Sequence, residues 1–363
     1  MKVSNYFAQT YPEARVKFTA AAESAGLDVQ SHRHPLLGQH GETLTMDVAR
    51  FGDADARRLL LVTSACHGVE GFCGSGVQNA LLADAEFHAL AAKAGVAVLY
   101  IHALNPHGFS WWRRVTHENV DLNRNWHDFK QALPHNAAYD DIAHWLLPTQ
   151  WPPTADNEAA LANYATQHGE RGLQAAISGG QYAHPQGLFY GGINPTWSQQ
   201  TLRHVLQAHG TRCDQLAWID LHTGLGQSGD CEPIFACRND AAALQRARAW
   251  WGSKVTSMFD GSSSSAMLSG LMTTAAYEEC AQAEFTAVAL EYGTLPLAQT
   301  ILALREDHWF ELHPEASAHD RAAARQRMRD AFYTDTDEWK QRIVAQGLQA
   351  ARQAVAGLGI ARP

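Results

Sequence analysis

The chain has 363 residues, a formal net charge of −9, 46% hydrophobic residues and 18% charged residues. These values are typical of a globular protein with a sizeable core, and the negative charge disfavours nucleic acid and anionic membranes as partners. The sequence shows no signal peptide and no apolar stretch of the roughly 18 residues that span a bilayer. Its six cysteines are scattered and form no disulfide framework, so we expect a cytoplasmic protein.

Hydrophobic periodicity predicts helices and strands that alternate along the chain. Helices are predicted at 5–26, 74–94, 156–178, 198–209, 240–251, 296–311 and 336–357, and strands at 43–52, 59–65, 96–104, 216–221, 233–237 and 285–290. This alternation favours an α/β fold with a largely parallel, twisted sheet between helices. No repeat or linker is visible, so we expect one domain over 1–363, with the last helix, about 336–357, packed outside.

A histidine and a glutamate follow the predicted strand 59–65. His67 and Glu70 are three residues apart in the motif HGVE, where the strand gives way to a helix. Ligands bind at such strand ends in open α/β sheets, and both side chains are good Zn²⁺ ligands. The alternative is a helix-capping turn with a solvated histidine and glutamate.

Two later strands also end in a polar residue near a glycine turn. These ends carry His222 in the motif DLHTG and Glu291 in the motif LEYGT. If the three ends converge, His67, Glu70 and His222 form a His₂Glu set that leaves one position of a catalytic zinc open. Glu291 would then be the general base for a water molecule. The alternative for Glu291 is an acidic strand end paired with a lysine or arginine.

The polar loop 105–126 supplies the predicted cations. Arg113 and Arg114 would stabilise an oxyanion, and Asn123 with Arg124 would bind a carboxylate. Asp121 would accept the second N–H of a ligand histidine. The alternative is a solvated cluster of charges, although the four aromatic residues around it favour order.

The ordered motifs HGVE, WWRR, NVDLNRNW, DLHTG and LEYGT resemble the zinc carboxypeptidases of the M14 (funnelin) class. Within that class the chain is most similar to the bacterial branch known as DUF2817, and the resemblance covers about residues 40–310. It implies a mixed, mostly parallel sheet of about eight strands between helices, and one Zn²⁺ ion.

The resemblance also implies roles for individual residues. His67, Glu70 and His222 would be the zinc ligands, and Glu291 would be the catalytic glutamate. Arg113 would polarise the scissile carbonyl, and Asn123 with Arg124 would bind the terminal carboxylate of the substrate. Asp121 would orient the first histidine ligand. The spacing of Tyr277 departs from that of the mobile tyrosine of the pancreatic-type enzymes, so that role is not transferred. Whether Arg113 or Arg114 faces the oxyanion stays open.

Three functions follow as hypotheses. The first is a metal-dependent hydrolase of an amide bond beside a free carboxylate, as in a carboxypeptidase acting on small peptides. The second is an N-acyl amino acid deacylase of the aspartoacylase or succinylglutamate desuccinylase type. The third is a metal-binding or carboxylate-binding protein without turnover, in which the GSSSS loop 261–265 or residues 179–198 plug the cleft.

Overall fold

The computed structural model of the protein describes residues 2–360, and its central feature is a seven-stranded sheet. The strands are β1 (Val29–Leu37), β2 (Thr43–Phe51), β3 (Arg58–Thr63), β4 (Val96–His102), β5 (Gln215–Thr223), β6 (Cys231–Phe235) and β7 (Glu284–Tyr292). Their spatial order is β1-β2-β4-β3-β5-β7-β6. The four central strands, β4, β3, β5 and β7, are parallel, whereas β1, β2 and β6 are antiparallel to their neighbours.

Helices cover the sheet. They are α1 (Tyr11–Ser24), α2 (Gly71–Leu82), α3 (Ala85–Ala94), α4 (Pro106–Ser110), α5 (Ala137–Leu146), α6 (Ala155–His168), α7 (Glu170–Ser178), α8 (Trp197–Gly210), α9 (Ala241–Trp251), α10 (Ala275–Glu279), α11 (Leu297–Leu312), α12 (Ala318–Phe332) and α13 (Asp337–Gly359). Short 3₁₀ helices lie at Val3–Tyr6, Gly68–Glu70, Leu122–Arg124 and Met272–Thr274. No helix within residues 2–360 is both long and apolar enough to cross a membrane.

The predicted α/β fold with a mixed sheet is confirmed, with two differences. The described residues form seven sheet strands rather than about eight, and only the central strands are parallel. Strands β4 and β5 are buried along their whole length, as their apolar sequences predict. The sheet therefore forms the centre of the core, and the carboxyl ends of β3, β5 and β7 lie at one edge.

Local sequence signals explain where the observed helices and strands differ from the predicted ones. The predicted helix 74–94 is two helices, because the Asp84 side chain accepts a hydrogen bond from the Phe87 amide (3.0 Å) and caps a new helix, α3. The predicted helix 156–178 breaks at Gly169, whose φ is 78°. Five elements escaped prediction: β1, α4, α5, α10 and α12. Among them, β1 is a polar edge strand and α12 is rich in charged residues.

Candidate metal centre

The sheet register brings the predicted site residues to one place. Parallel pairing of β3 with β5 sets Thr63 opposite Asp220, and pairing of β5 with β7 sets His222 opposite Glu291. His67 lies four residues beyond the end of β3, at the start of the 3₁₀ helix Gly68–Glu70. The ends of three parallel strands thus supply the histidines and glutamates of the centre.

Three side chains converge on a common point. The Nδ1 atom of His67 lies 2.8 Å from Oε1 of Glu70, and Nδ1 of His222 lies 3.1 Å from Oε2 of Glu70. The two Nδ1 atoms are 3.2 Å apart, and all three residues are buried. Ligands bound about 2.1 Å from a single ion are separated by roughly these distances. The cluster therefore has the donor types and the spacing of a metal site.

The charges of the cluster suit a cation. Burial disfavours the charged form of Glu70, but His67 and His222 outweigh it and hold the pKa of this carboxyl below its usual value. Burial likewise disfavours an imidazolium at His222, yet Asp220 and Glu70 raise the pKa of that group. The buried carboxylates therefore favour positive charge at this point, which a proton or a divalent ion would supply.

Asp220 was given no role from the sequence, although the structure places it beside a predicted ligand. Its Oδ2 atom accepts a hydrogen bond from Nε2 of His222 (2.6 Å), and its Oδ1 accepts one from the Thr63 hydroxyl (2.6 Å). Because a carboxylate only accepts, it keeps the proton on Nε2 and leaves the Nδ1 lone pair facing Glu70. The two-residue spacing in DLH, which puts both side chains on one strand face, was the available signal.

Asp121 lies on the other side of the centre. Its Oδ1 atom is 3.2 Å from Nε2 of His67, and its Oδ2 accepts a hydrogen bond from Nε of Arg114 (2.9 Å). Each histidine therefore has an aspartate near the ring nitrogen that points away from the centre, and in His67 that nitrogen also lies 2.7 Å from Nη2 of Arg114. This arrangement of imidazoles, carboxylate and supporting aspartates fits Zn²⁺.

The two arginines of the loop face opposite ways. Arg114 lies at the centre, where Nη1 is 3.2 Å from Oε1 of Glu70 and Nη2 is 2.7 Å from Nε2 of His67. Arg113 instead donates from Nε to Asp307 of α11 (2.9 Å) and does not line the cavity beside the centre. The expected placement of Arg113 at the site is thus wrong. The side chains of Arg113 and Arg114 point in opposite directions, and the Arg113 guanidinium forms a buried ion pair with Asp307 instead.

Backbone contacts fix Arg114 against the ligands. The amide of Gly68 donates to the Arg114 carbonyl (3.0 Å), and the amide of Val69 donates to the Arg113 carbonyl (2.9 Å). These bonds join the turn between His67 and Glu70 to the arginine loop. The position of one segment therefore depends directly on the other.

Glu291 reaches the centre from β7. The residue is buried, and its Oε1 accepts a hydrogen bond from the Leu225 amide (3.0 Å). Burial, together with the nearby charge of Glu70, raises the pKa of Glu291 to about 8. A carboxyl group in this range can exchange a proton near neutral pH, which suits a general base.

Asn123 and Arg124 line the same cavity. The Asn123 side chain accepts from the Met272 amide (3.0 Å), and Nε and Nη2 of Arg124 donate to the Ser178 carbonyl (3.1 and 2.6 Å). The Arg124 guanidinium also lies over the Phe189 ring, 5.6 Å from its centroid. Arg124 is therefore a buried, oriented cation beside the metal centre.

The cavity has a volume of about 100 Å³. Its charged or ionisable lining residues all belong to the centre and its arginines: His67, Glu70, Arg114, Arg124, Asp220, His222 and Glu291. The remaining lining side chains are uncharged and mostly apolar. The 179–198 loop and the GSSSS loop contribute Phe189 and Ser265, so both regions lie in the wall of the cavity.

Comparison with known families identifies the chain. The family described as "Protein of unknown function (DUF2817)" matches residues 7–346. The protein belongs to this family. The predicted DUF2817 branch is thereby confirmed. No curated protein matches the sequence at a significant level.

Solved structures resemble the chain at low sequence identity. Bovine thrombin-activatable fibrinolysis inhibitor, in complex with tick carboxypeptidase inhibitor, is 10% identical with a TM-score of 0.52, and the match covers 98% of each chain. Carboxypeptidase A from Helicoverpa armigera is 13% identical with a TM-score of 0.42, covering 89% of this chain and 74% of that one. A protein from Shewanella amazonensis, provisionally assigned to the succinylglutamate desuccinylase/aspartoacylase family, is 18% identical with a TM-score of 0.33, covering 79% and 71%. The predicted similarity to carboxypeptidases is confirmed as a similarity of fold.

Proposed function

We propose that this DUF2817 protein is a zinc-dependent hydrolase that cleaves an amide bond adjacent to a free carboxylate. The observation that carries the proposal is the convergence of His67, Glu70 and His222 in one cavity with Glu291, and with the Asn123–Arg124 pair. Three potential ligands, a carboxyl group of raised pKa and a buried cation are the parts that such a hydrolase needs. The carboxypeptidase-like fold supports the same function.

His67, Glu70 and His222 would hold the zinc ion. When bound, zinc supplies Lewis acidity that lowers the pKa of a water molecule to about 7 and polarises a carbonyl. Asp121 and Asp220 keep the two imidazole rings oriented through their outward nitrogens. The chain would thereby fix the orientation of both histidine ligands before any substrate arrives.

Glu291 would move the proton. Its carboxylate takes a proton from the attacking water and passes it to the nitrogen of the leaving amine, so that one residue acts first as base and then as acid. The Leu225 amide holds one carboxylate oxygen in place. A zinc ion bound to Glu70 would offset the negative charge that raises the pKa of Glu291 and would favour the ionised carboxylate that acts as the base.

Arg114 and the Asn123–Arg124 pair would bind the substrate. Arg114 lies against the ligand cluster and would donate hydrogen bonds to the oxygen of the attacked carbonyl as negative charge develops there. Arg124 and the Asn123 amide would hold the free carboxylate, since a guanidinium binds carboxylates through paired N–H groups. Binding at that point places the neighbouring amide bond beside the centre.

The test is the variant Glu291→Gln. We expect the purified wild-type protein to hold one zinc per chain and to hydrolyse substrates of the proposed class, with the variant keeping the zinc. Turnover of the variant should fall by roughly 10³-fold, because the amide cannot accept the proton. Metal analysis and kcat measure the two effects.

Glu86→Gln is the matched control, because Glu86 is exposed on α3 and remote from the cavity. This variant should retain wild-type metal content and turnover. Undiminished turnover in Glu291→Gln would remove Glu291 from the mechanism. A zinc-loaded wild-type protein with no turnover on any substrate of the class would favour a carboxylate-binding protein.

A further inference from the structure

Phe189, in the wall of the cavity, has a strained backbone. Its φ angle is 53°, in the left-handed region that a bulky side chain rarely adopts, and the residue is 5% exposed. It lines the same cavity as the metal centre. Residues in such conformations persist only where the surrounding structure fixes them, and they concentrate at functional sites. The neighbours of Phe189 must therefore hold it in place.

Hydrogen bonds from Gln181 and Asp121 hold the strained segment. The Gln181 amide donates to the Phe189 carbonyl (3.2 Å), and the Gln181 side chain donates to the Leu188 carbonyl (3.2 Å). The amide of Asp121 donates to the Tyr190 carbonyl (2.8 Å). Gln181 and Asp121 are buried, so these bonds are shielded from water. The backbone is therefore fixed on both sides of Phe189.

The ring of Phe189 contacts both arginines that the proposed function uses. The guanidinium carbon Cζ of Arg114 lies 5.0 Å from the ring centroid, and Cζ of Arg124 lies 5.6 Å from it. Both distances are within the roughly 6 Å over which an aromatic face attracts a cation. One aromatic side chain thus links the proposed oxyanion-binding group to the proposed carboxylate-binding group.

The segment that carries Phe189 contacts Arg124 at two further points. The Ser178 carbonyl accepts hydrogen bonds from Nε and Nη2 of Arg124 (3.1 and 2.6 Å). Gly180 leaves space for the stem of the side chain, because a Cβ atom there would lie only 2.8 Å from Cδ of Arg124. Residues 178–189 therefore determine the direction in which the Arg124 side chain points.

The charges of the two arginines give the ring contact a physical role. Burial lowers the pKa of Arg124, and the nearby charge of Arg114 acts in the same direction, whereas Asp121 opposes both. The negative potential of an aromatic face stabilises a cation without presenting a carboxylate, which would compete with that of the substrate. Phe189 therefore supports both guanidinium groups while leaving them available to anionic oxygens of a ligand.

We propose that Phe189 is a positioning residue that holds the guanidinium groups of Arg114 and Arg124 in their substrate-binding orientations. This inference rests on the proposed function and deepens it, since it adds a residue that contacts both cations. The ring would fix where the attacked carbonyl and the free carboxylate bind relative to each other. Loss of the aromatic face should therefore weaken both interactions together.

Binding of a carboxylate probe tests the proposal without turnover. The probe is 4-methylpentanoate, an apolar monocarboxylate, added to the metal-free protein. Phe189→Leu keeps an apolar side chain but removes the aromatic face, so we expect the Kd of the probe to rise roughly 10-fold. Phe189→Tyr keeps the face and should stay within about 3-fold of wild type. Titration calorimetry measures Kd.

Hydrolysis of acetyl-Ala-Leu tests the two arginines together. Phe189→Leu should raise KM and lower kcat, each roughly 3-fold or more, because carboxylate binding and oxyanion binding both depend on the ring. Phe189→Gly adopts a φ of 53° without strain, so it separates the ring from the backbone conformation. This variant should show the same losses, since it also lacks the ring.

Phe18→Leu is the matched control. Phe18 is fully buried in α1 and does not line the cavity. This variant loses a comparable buried ring, yet its Kd for the probe, its KM and its kcat should match wild type. Zinc content and Tm establish that each variant is folded.

The outcomes separate this inference from the proposed function. If acetyl-Ala-Leu is hydrolysed and Phe189→Leu matches wild type in Kd, KM and kcat, the inference is overturned while the hydrolase function stands. If nothing is hydrolysed, but Phe189→Leu weakens probe binding and Phe189→Tyr retains it, the hydrolase function fails and the positioning role stands. Equal losses in Phe189→Tyr and Phe189→Leu, or in Phe18→Leu, overturn the role of the aromatic face. A wild-type protein that neither binds the probe nor hydrolyses the peptide overturns both.

Discussion

At the scale of single residues, the two neighbouring arginines show how orientation decides chemistry. Arg114 contacts Glu70, His67 and Asp121 at the centre, whereas Arg113 pairs with Asp307 inside the protein. The Arg113 side chain is buried and that of Arg114 is 12% exposed, and both have carboxylate partners. Of the two, only Arg114 lines the cavity, so under the proposed function the two residues should differ sharply when substituted.

Replacing each arginine with lysine tests this assignment. Arg114→Lys should lower kcat roughly 10²-fold, because a single ammonium cannot reproduce the paired N–H groups facing the oxyanion. Arg113→Lys should keep kcat close to wild type and lower the free energy of unfolding by about 1–3 kcal/mol, because it weakens a buried ion pair. Steady-state kinetics and urea unfolding measure the two quantities. The reverse pattern would return the oxyanion role to Arg113.

At the scale of elements, the centre depends on the close packing of two turns. The turn Gly68–Glu70 lies directly against α4, and a Cβ atom on Gly68 would overlap the backbone of Gly108 and Phe109. The glycine that follows His67 in HGVE is therefore required by space rather than by an unusual φ angle. This contact, with the hydrogen bonds to the arginine loop, determines where His67 and Glu70 lie.

Gly68→Ala should therefore disrupt the metal centre. Backbone atoms cannot move aside as a flexible side chain does, so we expect a loss of about 3 kcal/mol in the free energy of unfolding. Zinc affinity should fall at least 10-fold, since the turn that carries two ligands is displaced. Zinc titration and urea unfolding measure both changes. Gly359→Ala, at the end of α13 with only Ala94 nearby, is the control and should leave zinc affinity unaltered.

At the scale of the whole molecule, burial of neutral histidines links stability to pH. His102 lies fully buried in β4, stacked on Phe18 with ring centroids 4.7 Å apart, and its Nε2 meets the Ser75 hydroxyl at 3.0 Å. Burial lowers the pKa of His102 from 6.5 to about 4. The unfolded chain therefore binds a proton at this residue at a higher pH than the folded protein does.

The protein should lose stability as pH falls from about 6.5 towards 4. For His102 the linkage amounts to about 2 kcal/mol between pH 7 and pH 5, because only the unfolded state is protonated there. Urea unfolding of the metal-free protein at pH 7 and at pH 5 measures the total decrease in the free energy of unfolding. In His102→Gln this residue no longer titrates, so the decrease should be smaller by that amount. An identical decrease in the variant would show that His102 does not contribute.

Much of the centre was predictable because it depends on local pattern. Apolar strands that end in His67, His222 and Glu291 predicted both the sheet and the edge where ligands meet, since parallel strands carry their carboxyl ends to one side. The glycine and proline signals placed the loops that line the cavity. Asp220 was also readable in principle, because two residues in a strand share a face.

The sequence alone thus determined the α/β class, the family and the residues that meet at the centre, because each depends on residue types and on their spacing over short stretches of the chain. Tertiary structure decided the rest. It turned Arg114 rather than Arg113 towards the ligands, and it brought α7 and residues 258–271 into the wall of the cavity. Both outcomes depend on contacts such as Arg113 with Asp307 and Gln174 with Ser264, whose partners lie 194 and 90 residues away in the chain. Spacing along a sequence carries no information about such distant partners, which only the packed fold brings together.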